Sequence, residues 1–257
     1  METLLGANWP VLMLFAAAVA MAGGVVKGVV GFAMPMVLIS GLSSIAPPEV
    51  ALAGVILPTL FTNGWQALRQ GVRAAAGSLA RFRVFLLAGL VFMLASAQLV
   101  AVMSQAVMLL LIGVPIVVYA AFSLAGRPLR LPPRPGWRVE AGIGAVAGVF
   151  GGISGVWGPP TVAMLTALQT EKTEQMRIQG VIYGLGAVAL LGAHLGSGVL
   201  NPATVPLSAT LILPALGGMW LGLRIQDRID QAMFRRLTLA VLVIAGLNLV
   251  RRGLLSL

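Results

Sequence analysis

The chain contains no cysteine, one histidine and only seven acidic residues. The missing cysteine excludes disulfides, thiolate metal centres and thiol catalysis. With a single histidine and scattered acids, the usual nucleophile–base pairs and metal-ligand clusters lack parts, so no enzyme, metal or cofactor is expected. The acids are Glu2, Glu49, Glu140, Glu171, Glu174, Asp227 and Asp230, and all fall at the ends of apolar stretches. No carboxylate cluster lies mid-stretch, which argues against a Na⁺ or divalent-cation site. No polar segment is long enough for a soluble domain. No Gly-x-x-x-x-Gly-Lys-Ser/Thr loop occurs, so this chain does not itself hydrolyse ATP. The N-terminus has Glu2 as its only early charge and lacks the basic region of a signal peptide, so it reads as a mature first segment.

What the chain does have is apolar length. Hydrophobic residues make up 59% and charged residues 9%, and mean hydropathy is +0.99. That composition belongs to a polytopic all-α protein whose partner is the lipid bilayer. The stretches run over 9–46, 48–68, 84–103, 105–125, 139–169, 178–200, 205–223 and 235–250. The net charge of +10 needs no nucleic acid, because the arginines sit in short loops where they set orientation. Nothing in the sequence specifies an oligomeric state.

One phrase occurs twice. Gly24-Val25-Val26-Lys27-Gly28-Val29-Val30-Gly31-Phe32-Ala33-Met34-Pro35 aligns, 124 positions on, with Gly148-Val149-Phe150-Gly151-Gly152-Ile153-Ser154-Gly155-Val156-Trp157-Gly158-Pro159. At an offset of 126, Gly54-Val55-Ile56 matches Gly180-Val181-Ile182 and Gln105-Ala106 matches Gln231-Ala232. A tandem duplication explains the shared offset. It divides the chain into a first repeat over 1–125, a Pro/Arg-rich linker over 126–138 and a second repeat over 139–257.

The long stretches 9–46 and 139–169 exceed one span and are interrupted by Gly and Pro. Each is expected to form a hairpin of two half-length helices, with Pro35 and Pro159-Pro160 opening the second arms. Each repeat is then a broken-helix hairpin plus three transmembrane helices, and the repeats are inverted. Basic residues vote for this arrangement over eight simple crossings. Both alternatives place Arg69, Arg73, Arg81, Arg83 and the four linker arginines inside. The inverted one adds Lys172, Arg177, Arg224, Arg228, Arg235 and Arg236, and leaves only Arg251 and Arg252 outside. The other puts those six outside.

A helix starting inside a membrane exposes unpaired N–H groups at its positive dipole end, which suits an anion. Two such starts would make a cradle for one small anion at the bilayer midplane, between the repeats. Gly-x-x-Gly spacing alone is ordinary helix packing, the expected role of Gly218 and Gly222; glycines followed by proline in both halves favour a site. Lys27 is the only basic residue embedded in an apolar stretch. A central charge costs roughly 2.5–3.5 kcal/mol on insertion scales, so it is functional by default. The candidate substrate-binding set is Lys27, Gly28, Gly31, Phe32, Pro35, Gly152, Ser154, Gly155, Trp157, Gly158 and Pro159. Asn63, Gln66, Gln179 and Tyr183 read as helix-to-helix hydrogen bonds. His194 reads as an interfacial residue, with proton transfer as its alternative.

The two phrases resemble the TauE/SafE family of sulfite exporters, also called toluene sulfonate uptake permeases. The ending Gly217-Gly218-Met219-Trp220-Leu221-Gly222-Leu223-Arg224 followed by Phe234-Arg235-Arg236 is similar to that family as well, so the likeness covers nearly the whole chain. Val156-Trp157 and the double Pro159-Pro160 depart from the glycine-richer second phrase common in the family. The resemblance implies a multi-pass inner-membrane transporter for a small sulfur-containing anion, sulfite or an organosulfonate. The leading expectation is a secondary exporter driven by the proton gradient. The alternatives are an uptake permease for a small carboxylate or other anion, and a non-transporting scaffold subunit that would need neither buried lysine nor paired breaks.

The inverted arrangement puts both termini outside. Tags placed at each end and tested for accessibility in intact cells should both be labelled; a cytoplasmic C-terminus would rule the arrangement out.

Overall fold

The structure is a computed structural model that describes residues 9–97, 104–127, 131–132, 135–154 and 158–256. The described residues contain twelve helices and no strand. They are α1 (Trp9–Val30), α2 (Met34–Leu42), α3 (Pro48–Leu68), α4 (Val72–Arg81), α5 (Arg83–Ala97) and α6 (Gln105–Leu124) in the first half of the chain. The second half supplies α7 (Trp137–Ser154), α8 (Gly158–Ala167), α9 (Lys172–Gly196), α10 (Val205–Thr210), α11 (Ile212–Arg228) and α12 (Gln231–Leu254).

The helix starts follow local chemistry. Glu49 and Glu140 fall in the first turns of α3 and α7, against the positive dipole end. The Ser104 hydroxyl accepts from the Val107 N–H at 3.3 Å and caps α6. The Glu171 carboxylate does the same for α9, accepting from the N–H groups of Thr173 at 3.1 Å and Glu174 at 3.2 Å. Three features differ from the expected stretches. A short helix, α4, forms between the second and third and bends by 66° into α5. The stretch over 205–223 divides at Leu211, because Pro214 has no N–H for the Thr210 carbonyl. The hairpin arms are also unequal: α1 has 22 residues, about 33 Å of helix, and α2 has nine. The first arm is therefore full-length rather than half-length.

Among the described residues, five helical segments, with α10 and α11 taken together as one, are long and apolar enough to cross a membrane, or six if the bent pair α4 and α5 counts as one span. The protein is a multi-pass α-helical membrane protein.

The chain forms two compact units, and each draws on both sequence halves. Unit 1 comprises the described residues of Met1–Ala75 and Met176–Asp230; unit 2 comprises those of Ala76–Gln175 and Gln231–Leu257. In unit 1, α2 folds back antiparallel along α1: a side chain at Gly23 would meet Met34 and Val37, and one at Gly41 would meet Val19. α1 and α11 run parallel with almost no space between them, Met21 facing Gly218 and Val25 facing Gly222. α3 and α9 meet antiparallel, with Asn63 beside Tyr183 and Gln66 beside Met176. The apolar core gathers Ala16, Ala20, Met34, Leu38, Leu42, Val55, Leu207 and Ala215 where α1, α2, α3, α10 and α11 converge. At its polar end, Arg69 after α3 pairs with Asp227 near the end of α11 at 2.6 Å.

Unit 2 repeats part of this plan. α5 and α7 run parallel, with Phe85 against Gly144 and Gly89 against Gly148. Arg81, the last residue of α4, pairs with Glu140 of α7 at 3.1 Å. α6 and α12 run antiparallel, Gly113 facing Gly246 and Val250, and Ala106 facing Gly253. Gly24 and Gly148 hold matching places in the duplicated phrase, and they do the same job. A Cβ on Gly24 would sit 2.9 Å from the Met219 nitrogen of α11, and one on Gly148 would sit 2.9 Å from the Gly89 Cα of α5. Such close approach of backbones is how membrane helices gain packing energy without a hydrophobic drive.

Gly24→Leu and Gly148→Leu should each destabilise by about 1–3 kcal/mol through overpacking, read as a lower Tm in detergent. Gly217→Leu is the control, because nothing lies within 4 Å of a Cβ there. Equal effects at all three positions would contradict this packing.

Candidate functional site

The first duplicated phrase ends α1 and begins α2. Gly31 has φ +88° and Ala33 φ +73°, and between them the chain reverses. Glycine adopts the first conformation freely. Ala33 does not, and a non-glycine residue held in the left-handed region costs about 1–2 kcal/mol; such strain is kept where surrounding contacts impose it. Gly31 is required for a second reason. A Cβ there would collide with the Gln179 side chain and lie 2.9 Å from the Met176 sulfur.

The carbonyls left open at the end of α1 are taken up by amides from two other helices. Gln66 Nε2 of α3 donates to the Gly31 carbonyl at 3.0 Å and to the Met176 carbonyl at 2.9 Å. The Gln179 amide of α9, turned to present its nitrogen, donates to the carbonyls of Val30 at 3.2 Å and Gly31 at 3.3 Å. The Ala33 carbonyl accepts from the N–H groups of Met36 and Val37, both at 3.1 Å. The N–H groups of Phe32, Ala33 and Met34 find no hydrogen-bond partner among the described residues. Three backbone donors at the start of α2 are thus left for a ligand, beside the positive dipole end.

Lys27 sits one turn before Gly31. It is 1% exposed, and its ammonium donates to Asn63 Oδ1 of α3. Asn63 Nδ2 in turn donates to the Tyr183 carbonyl of α9 at 3.1 Å. No ion pair of Lys27 with a carboxylate is found among the described residues. An isolated buried ammonium is costly, and one amide oxygen answers only one of its three donors. The other notable loose end is the buried Gln66 Oε1, which has no partner among the described residues.

The break lies towards one end of its neighbours. Gln66 falls in the last turn of α3 and Met176 in the second turn of α9, close to Arg69 and Arg177.

The structure brings Lys27, Gly28, Gly31, Phe32 and Pro35 together at this hairpin tip. Phe32 is buried, and Pro35 occupies the first turn of α2, where no N–H is required. Gly28 lies against α11, its Cβ position 2.8 Å from the Gly222 Cα, so it is in helix–helix contact. Gly218 and Gly222 pack in the same seam, as their spacing implied. In unit 2, Gly152 and Ser154 lie in the last turn of α7, and Gly158 and Pro159 open α8. Gly155 and Trp157 fall outside the described residues.

Sequence reasoning had set Asn63, Gln66, Gln179 and Tyr183 aside as helix-to-helix contacts. They are that, and they also enclose Lys27 and the break. The signal was present in their spacing. Asn63 and Gln66 are three apart and Gln179 and Tyr183 four apart, so each pair shares one helix face.

A buried break between α1 and α2 within a multi-pass helical fold defines the class: a polytopic α-helical membrane protein. A family model described as sulfite exporter TauE/SafE matches residues 15–249. The chain belongs to the TauE/SafE sulfite exporter family, a family of membrane transporters. No curated protein and no solved structure matches the chain.

The contact between Lys27 and Asn63 predicts a thermodynamic coupling. Asn63→Leu should destabilise most, by about 1.5–3 kcal/mol, because it leaves a buried cation unanswered. Adding Lys27→Met should recover most of that loss in Tm, and simple additivity of the two substitutions would contradict the pairing.

Proposed function

We propose that this protein is a secondary transporter that exports sulfite or a small organosulfonate across the inner membrane, with Lys27 as the charge that receives the anion. The observation that carries this reading is the buried Lys27 ammonium with an amide as its only partner among the described residues, one turn from three open N–H groups at the start of α2. An oxyanion would supply the missing counter-charge and accept from Lys27 and the open N–H groups. A metal cation would meet like charge there. Gln66, Gln179 and Asn63 hold the tip in place and leave those donors free.

The inverted arrangement of the repeats has support within each unit. Eight simple crossings require α3 and α9 to run the same way, and α6 and α12 likewise. Both pairs run antiparallel. Broken hairpins that enter and leave on one side account for both directions, and also for the parallel pairs α1 with α11 and α5 with α7. On that arrangement the tip of α1 lies towards the cytoplasmic face. By the duplication, the proline-opened start of α8 would be the counterpart of α2, with Gly152, Ser154, Gly155, Trp157, Gly158 and Pro159 as the corresponding segment. Export of an anion from a negative-inside cell is favoured by the electrical part of the proton gradient, about 2.3 kcal/mol per charge per 100 mV.

Sulfite efflux from proteoliposomes with an imposed membrane potential tests the reading. Lys27→Met should reduce flux at least tenfold while leaving the protein folded and inserted. Undiminished flux would remove Lys27 from the path, and absence of flux in the unsubstituted protein for sulfite and sulfonates alike would favour a scaffold subunit.

A further inference from the structure

Unit 2 contains a second set of buried polar groups, separate from Lys27 and unused by the proposed function. It lies where the C-terminal ends of α6 and α8 meet the N-terminal end of α12, and α8 packs against both other helices. The Tyr119 hydroxyl of α6 donates to the Ala163 carbonyl of α8 at 2.9 Å. Ser123 of α6 is beside that hydroxyl, and Arg235 of α12 is near enough to act on it through its charge. Thr166 lies three residues beyond Ala163 on α8, and Thr238 three beyond Arg235 on α12, so each follows its neighbour on the same helix face.

Four of these groups, the Ser123 hydroxyl included, lack partners among the described residues. Thr166 is 4% exposed and Thr238 0%. Both hydroxyls, together with Arg235 Nη2, are buried with no hydrogen bond among the described residues. Native proteins rarely leave such groups unanswered, and each instance calls for an explanation. No carboxylate can answer Arg235 from these helices, because α6, α8 and α12 contain no Asp or Glu. The nearby Glu171 carboxylate is already engaged by Thr173 and Glu174 at the start of α9. The Tyr119 proton is committed to Ala163, so its oxygen can only accept. The Ser123 hydroxyl faces the Tyr119 oxygen; what remains beside it is one guanidinium and two hydroxyls, all able to donate, at the N-terminal end of α12.

We propose that Arg235, Thr166 and Thr238 form a second oxyanion-binding site in unit 2. A planar guanidinium with free N–H groups recognises a sulfur or phosphorus oxyanion, and the two hydroxyls complete its coordination. The oxyanion is either a free solute or the phosphate of an anionic lipid headgroup, since the site lies at the end of its helices.

The full-length protein in nanodiscs of phosphatidylcholine alone provides the test, in a Lys27→Met background so that binding at Lys27 is not counted. Calorimetric titration with sulfite, and separately with inorganic phosphate, should show one saturable site. Arg235→Gln should abolish it. Thr166→Val with Thr238→Val should weaken it at least tenfold without lowering the Tm of the empty protein, since methyl groups replace hydroxyls that had no partner. If the occupant is a lipid, free anions will not titrate. Native mass spectrometry of protein loaded with phosphatidylglycerol should then show one retained lipid, lost in both variants. The proposal is overturned if neither oxyanion nor phosphatidylglycerol binding changes in Arg235→Gln or in the double threonine variant.

Discussion

The structure of unit 1 depends on how a buried ammonium is accommodated. Lys27 is embedded in a stretch that otherwise reads as a plain membrane span, and its one protein partner is the side chain of Asn63. The surroundings follow from that. Asn63 is itself fixed by the Tyr183 carbonyl. Gln66 and Gln179 hold the carbonyls that the interrupted helix leaves open. Gly31 and Ala33 take up the left-handed conformations that let α2 turn back along α1. Protein groups answer the Val30 and Gly31 carbonyls and the Asn63 amide nitrogen, whereas the open N–H groups and Gln66 Oε1 have no partner among the described residues.

The glycines divide the labour of the duplicated phrase. Gly24 and Gly148, at matching positions, bring α1 against α11 and α5 against α7 with backbone in contact. Gly28 and Gly222 extend the first of these seams. Among the glycines of the first phrase, Gly31 alone sits at the chain reversal. A phrase that looks like one motif therefore contains a packing surface followed by a turn. The seam holds the first arm, and the turn sets the start of the second arm.

Much of this was legible in the sequence. Apolar runs and their lengths marked the helices, because backbone groups in hydrocarbon must pair internally and only a helix does that within one segment. Pro35 and Pro159 marked where second arms begin, and an isolated Lys27 marked the charge. Three features were hidden. Unequal hairpin arms depend on where tertiary contacts stop α1, which residue content does not reveal. The interlaced units depend on which helix meets which across sequence distances of more than a hundred residues, as with Ser208 bonding Leu57. The polar ring around the break joins residues of three helices whose spacing advertised a shared face but not what that face met. Arg235 was visible only as a loop arginine that sets orientation. The burial of its Nη2, on the same helix face as the unpartnered Thr238, emerges once α6, α8 and α12 come together.

The most direct test of the central claim is an experimental structure of the protein in lipid with selenite, a heavier analogue of sulfite, located by its selenium signal. A peak within hydrogen-bond distance of Lys27 Nζ and the N–H groups of Phe32, Ala33 and Met34 is the predicted result. Selenium bound elsewhere, with Lys27 still engaged by Asn63 alone, would contradict it.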